Sequence, residues 1–184
     1  ITITSAGSGS HSLHTDPWVT DTEFSYNTVI DNVTSIDGIM LLYGSGATTG
    51  GLRRSKIHHN VFYGDFYGVQ SRGPTDDASH MFSSNIFVVK QYGIPYAIMS
   101  PLVGGVTNSS ANFTGMDHDL FYDTANSMSG SSVVAQWGAS TFYTLSQWHT
   151  NTVNGHHAVL GNPLFRSPGS GDFTLQAGSP AINA

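Results

Sequence analysis

The sequence predicts a parallel β-solenoid, in which each copy of a short repeat makes one turn and all turns share a core. Three observations carry that expectation. The first is a recurring pattern: a small or polar pair, then Asn, then an apolar run. It reads Ser25-Tyr26-Asn27-Thr28-Val29-Ile30, His58-His59-Asn60-Val61-Phe62-Tyr63 and Ser83-Ser84-Asn85-Ile86-Phe87-Val88. A degenerate copy is Asp117-His118-Asp119-Leu120-Phe121-Tyr122. The central residues lie 33, 25 and 34 positions apart (27 to 60, 60 to 85, 85 to 119), and periods of roughly 20–50 residues mark stacked units. Unequal spacing means a fixed unit with loops of varying length.

The second observation is the columns around each Asn. Three residues before it stand Phe24, Ile57, Phe82 and Met116; two after it stand Val29, Phe62, Phe87 and Phe121. Further on, the first three copies carry Gly38-Ile39, Gly68-Val69 and Gly93-Ile94. The third observation is residue type. Short β-branched and aromatic runs broken by Asn and Gly are strand–turn–strand units, not helices. Asn suits a tight bend, and stacked Asn side chains can bond one another across turns about 4.8 Å apart.

Each region then takes its place. Residues 1–20 hold one strand, from the alternation Ile1-Thr2-Ile3-Thr4, and a Gly/Ser/His loop. That start, with no initiator Met and no signal peptide, predicts a processed or truncated part of a longer solenoid. Residues 21–122 hold the four turns. Residues 44–51, 71–79 and 100–115 are loops. The glycines of 44–51 lack the Lys-Ser/Thr and the following helix of a phosphate loop. Residues 141–150 are the helix candidate, with Thr141 as cap and Leu145 and Trp148 on one face. The whole chain, 1–184, is expected to be a single domain.

Composition narrows the function. Six Lys+Arg against twelve Asp+Glu give a net charge of −6, so no basic stripe exists for nucleic acid. No apolar run approaches the ~20 residues of a membrane span. With no cysteine there is no disulfide, zinc-thiolate site or Cys nucleophile.

The C-terminal segment points to a family. It reads Gly161-Asn162-Pro163-Leu164-Phe165, Gly171-Asp172-Phe173-Thr174-Leu175 and Ala177-Gly178-Ser179-Pro180-Ala181-Ile182-Asn183. With Asp119-Leu120-Phe121-Tyr122 and Leu145-Ser146-Gln147-Trp148, it closely resembles the ending of secreted right-handed parallel β-helix repeat proteins of the pectate-lyase-like superfamily. The resemblance covers residues 20–184. It implies an all-β right-handed parallel β-helix with irregular loops and one short helix near 141–150. It also implies an extracellular, secreted setting, and the absence of cysteine suits a secreted bacterial protein. Asn162 and Asn183 stand where Asp is more usual in that family, so turn bonding rather than metal binding is expected of them.

Proteins of this kind include polysaccharide lyases. Such chemistry needs a cation at the uronate carboxylate, a base for the C5 proton and an acid for the leaving oxygen. Glu23, Lys56 and His58 should cluster on one outward face of two successive turns. The functional reading makes Lys56 the base and His58 a proton donor, with Glu23 binding substrate. The alternative is a surface ion pair between Glu23 and Lys56 worth about 0–1 kcal/mol, with His58 solvated. Arg72, four residues after Gly68, is either a carboxylate clamp or a partner for Asp76 or Asp77. Arg53 and Arg54 read as solvated loop charge. Tyr63, Phe66 and Tyr67, with Tyr92 and Tyr96, either make a stacking platform for sugar rings or belong in part to the interior.

Nine histidines raise the question of a metal. His58-His59 and His156-His157 are adjacent, so on strands they face opposite sides and could share an ion only in a bend. No transition-metal site is assigned. Calcium is the possible ion, through Asp76-Asp77 or the alternating Asp117 and Asp119.

The expected function is that of an extracellular carbohydrate-active protein, lyase-like, acting on or binding an acidic polysaccharide. The alternative is a non-catalytic structural or adhesive protein that self-associates through its solenoid ends. No nucleic-acid or membrane-spanning role is expected.

Overall fold

The computed structural model describes residues 2–5, 13–15, 18–31, 38–43, 51–64, 67–72, 81–89, 98–100, 117–124, 133–137, 141–151 and 155–183, with side chains at 21–30, 54–64, 81–88, 117–124, 133–134, 144–151 and 155–183. In chain order its strands are β1 (Thr2–Ser5), β2 (Leu13–Thr15), β3 (Trp18–Thr20), β4 (Glu23–Ser25), β5 (Thr28–Asp31), β6 (Gly38–Tyr43) and β7 (Gly51–Arg53). They continue with β8 (Lys56–His58), β9 (Val61–Gly64), β10 (Tyr67–Arg72), β11 (Met81–Ser83), β12 (Ile86–Val89), β13 (Ile98–Ser100) and β14 (Leu120–Asp123). The last are β15 (Val133–Trp137), β16 (Thr141–Thr144), β17 (Val159–Leu160), β18 (Phe165–Ser167) and β19 (Asp172–Leu175), with helix α1 (Leu145–Asn151) between β16 and β17.

One sheet runs β1-β5-β9-β12-β14-β17 and is parallel throughout. A second runs β16-β15-β13-β10-β6-β2, and a third β11-β8-β4. The three Asn copies each supply the strand before the Asn to the third sheet and the strand after it to the first; the fourth supplies β14 to the first sheet and reaches the third only through the isolated Asp117–Ser83 bridge.

The expected all-β right-handed parallel β-helix is corrected by this topology. β15 pairs antiparallel with β16, and β18 pairs antiparallel with β19. The reason is connection length. Gly138-Ala139-Ser140 and Pro168-Gly169-Ser170-Gly171 are three- and four-residue links. Strands that pair directly across links that short must be antiparallel, because parallel pairing needs a crossover of about a dozen residues or more.

The interior is built from the predicted columns. Val29, Ile57, Phe62, Phe82, Phe87 and Phe121 are buried. Phe62 stacks on Phe87 at 5.1 Å and 7°, and Phe87 on Phe121 at 5.5 Å and 9°. Phe24 is half-buried, since strand β4 is the edge of its sheet. Met116 lies outside the described residues.

The helix starts later than expected. Residues 141–144 are strand β16, and Thr144, not Thr141, caps α1. The Gln147 N–H donates to Thr144 Oγ1 (3.3 Å), and the Thr144 N–H donates to Gln147 Oε1 (2.9 Å). This reciprocal pair satisfies two of the helix's orphan donors. Trp148 is its buried residue. Among the described residues, no helix is long and apolar enough to cross a membrane.

Candidate functional site

The bend between the third and first sheets is made by one residue in left-handed conformation: Tyr26 (φ 56°), His59 (55°), Ser84 (56°) and His118 (59°). It was expected at the Asn itself. Instead Asn27, Asn60, Asn85 and Asp119 follow it and point inward, all buried. The reason is the ladder they build. Asn60 Oδ1 accepts from the N–H and the amide Nδ2 of Asn27 (2.9 and 3.3 Å). Asn85 Oδ1 accepts likewise from Asn60 (3.2 and 3.1 Å), and Asp119 Oδ1 from Asn85 (2.8 and 3.1 Å). A left-handed non-glycine residue is strained by roughly 1–2 kcal/mol, and the ladder with its backbone bonds holds it there. The His59 N–H donates to Ser83 O (3.2 Å) and the Ser84 N–H to Asp117 O (3.0 Å).

Asp119 ends the ladder where a fourth Asn is expected. Its carboxyl is pushed up to about 7, chiefly by burial, while its hydrogen bonds with Asn85 pull the other way.

Holding the bend residues left-handed presents their side chains outward as a row. Tyr26 is 71% exposed and stacks on His59 at 5.0 Å. With Ser84 and His118 these rings form one wall of a cleft of about 370 Å³; Leu175, Ala181 and Ile182 of the C-terminal segment also line it.

Two polar clusters flank the row. In the first, β4 and β8 pair with Glu23 opposite Lys56 and Ser25 opposite His58. Glu23 Oε1 contacts His58 Nε2 (3.1 Å) and accepts from Ser25 Oγ (3.0 Å), while His58 Nδ1 lies 2.8 Å from His59 Nδ1. Ser25, then His58, hold the exposed Glu23 carboxyl below the usual range; Lys56 adds only its charge. An ionised Glu23 is an acceptor, so whenever His58 is neutral its proton sits on Nε2 and its Nδ1 accepts. His59 then donates from Nδ1 and keeps a lone pair on Nε2. In the second cluster Asp117 meets His118 and His157, 40 residues further on.

The sequence-derived candidates divide accordingly. Glu23, Lys56 and His58 come together on β4 and β8. Arg72 ends β10 in the second sheet, opposite Tyr43; Lys56 lies in the third, so the two are not neighbours in one sheet. The side chains of Arg72 and Tyr67 lie outside the described residues, as do Phe66, Asp76, Asp77, Tyr92 and Tyr96. Tyr63 is half-buried and meets Phe173 edge-on at 5.2 Å. Packing from the C-terminal hairpin thus takes one face of that ring. Arg54, read as solvated charge, is held by two bonds to Asp21 (2.7 and 2.6 Å).

Sequence reasoning missed Tyr26, His59, His118 and His157. The signal for three of them was present, since each immediately precedes the Asn column or its Asp copy. Adjacent histidines were taken to face apart as on a strand, but His59 sits in the bend. No known protein family, curated protein or solved structure matches this chain.

Proposed function

We propose that this chain is a secreted protein that binds an acidic polysaccharide in the cleft beside the left-handed row. The observation that carries the reading is the wall itself: Tyr26, His59 and His118 line one open cleft. Aromatic and imidazole faces suit the apolar faces of sugar rings, and protonated imidazoles suit uronate carboxylates. Calorimetric titration with a uronic-acid oligosaccharide and with a neutral glucan tests it. Tyr26→Ala and His59→Ala should each weaken uronide binding by about tenfold, which is ~1.4 kcal/mol. Equal binding of the neutral glucan, or no response to either substitution, counts against the proposal.

A second reading rests on the Glu23–His58–His59 line. In the tautomer with neutral His58 protonated on Nε2, the Nε2 lone pair of His59 in the cleft is placed to act as the base of a β-elimination, oriented through His58 by Glu23. The assay is new absorbance at about 235 nm on acidic polysaccharides, from the unsaturated product. His59→Ala should abolish it and Glu23→Gln lower it. Loss of activity on Lys56→Ala with none on His59→Ala would return the role of base to Lys56.

A further inference from the structure

Asp117 is gripped from behind. Its Oδ1 accepts the backbone N–H groups of His118 (3.0 Å) and His157 (2.6 Å). Its Oδ2 lies 2.7 Å from His157 Nδ1 and 3.9 Å from His118 Nε2. The two imidazoles lie parallel, with centroids 4.7 Å apart and planes at 6°. One ligand atom from each of the three residues lies within 4.8 Å of the other two.

Each placement is set by the surrounding fold. Asp117 bridges in parallel to Ser83. His118 is held left-handed at the bend. His157 arrives in the turn before β17, which pairs in parallel with β14. A hydrogen bond accounts for His157, but 3.9 Å is too long for one to account for His118. The three donor atoms lie close enough together to serve one ion once the two stacked rings turn edge-on to it.

We propose that Asp117, His118 and His157 form a binding site for a divalent transition-metal ion of the zinc class. The donor set selects the ion. Two imidazoles and a carboxylate suit Zn²⁺, Co²⁺, Ni²⁺ or Cu²⁺, whereas Ca²⁺ and Mg²⁺ take oxygen ligands. Tetrahedral ligation at about 2.0–2.1 Å sets donor atoms roughly 3.3 Å apart. The separations of 2.7 and 3.9 Å bracket that value, and the side chains of His118 (45%) and His157 (66%) are exposed enough to turn the remainder. The two N–H bonds to Oδ1 are the outer contacts that orient a ligating carboxylate. Three protein ligands leave at least one position for water.

The test uses untagged, chelator-stripped protein, titrated with Co²⁺ alone and followed by its visible ligand-field absorption, then with Zn²⁺ in competition. The expected result is one equivalent bound at about 10 μM or tighter. His118→Ala and His157→Ala should each weaken binding by ~30-fold or more, and His58→Ala should leave it unchanged. Circular dichroism without metal establishes that each variant is folded; should one His variant fail to fold, the other carries the test. No saturable binding at ~100 μM, or unchanged affinity in either folded His variant, overturns the proposal. So does binding that is lost with His58→Ala and kept with His118→Ala.

Discussion

Asp119→Asn should stabilise this protein at neutral pH and flatten its pH dependence. Asp119 occupies the Asn column, is buried, and has its carboxyl raised from 3.8 to about 7. A carboxyl raised in the folded state keeps its proton there while the unfolded chain releases it. Stability is therefore full below about pH 4, declines as pH rises toward about 7, and stays level above that. The shift sets an upper bound on the order of 4 kcal/mol at neutral pH. Asn removes that term and still offers Oδ1 to the two Asn85 donors. Its Nδ2 would take the role played in earlier copies, where Asn27 donates to Ser25 O (2.8 Å) and Asn60 to His58 O (2.9 Å). The equivalent acceptor is Asp117 O. We expect a gain of about 2–4 kcal/mol at pH 7.5, shrinking to within ~1 kcal/mol near pH 4. Urea unfolding followed by circular dichroism, from about pH 4 to about pH 8, measures both. Chelator in every sample keeps any ion at Asp117 out of the comparison. Parallel stability curves for the two proteins, or a variant less stable at pH 7.5, would refute the reasoning.

Three further substitutions test the architecture by equilibrium unfolding. Phe87→Ala removes the central ring of the Phe62–Phe87–Phe121 stack and should destabilise by about 3–5 kcal/mol; a loss under ~1 kcal/mol would mean the stack is not packed. Asn60→Ala orphans the buried Asn27 N–H and strips a partner from Phe24 O and from Asn85 Oδ1. It should destabilise by about 2–4 kcal/mol, and a near-neutral result would count against the ladder. Gly155→Ala would set a Cβ 2.3 Å from Trp148 Cδ1 at a residue with φ of 73°. It should destabilise by about 2 kcal/mol or more and shift the tryptophan fluorescence; unchanged emission would show that the helix does not seat there.

How much of the fold was legible depends on the range of the interaction. The register between copies was readable in the first and third sheets, where the same column recurs: Phe24 pairs with Ile57 and Ile57 with Phe82, Val29 with Phe62 and Phe62 with Phe87. It was misread in the second sheet, where Gly38 pairs with Tyr67 instead of Gly68, and Val69 pairs with Met40 and Ile98 instead of Ile39 and Ile94. The helix was readable to within one turn, and the Thr144–Gln147 box that sets its start is itself a sequence signal. The antiparallel pairs were missed although both links were visibly short. Repeat reasoning extrapolates one rule along the chain, and these links break the rule locally.

Of the site, the sequence alone determined the columns: which residues face in, which face out, and that Glu23, Lys56 and His58 share an outward face. A period of two along a strand is enough for that. Tertiary structure decided the rest. A left-handed backbone at His59 and His118 overrides strand alternation and turns neighbouring side chains toward each other. It brought His58 to His59, and it set His118 beside His157, a histidine from a strand connection 39 positions away (118 to 157). Contacts between residues so far apart depend on how the intervening chain returns, which no local pattern records. The same long-range return laid Phe173 against Tyr63 and placed Arg72 in a different sheet from Lys56.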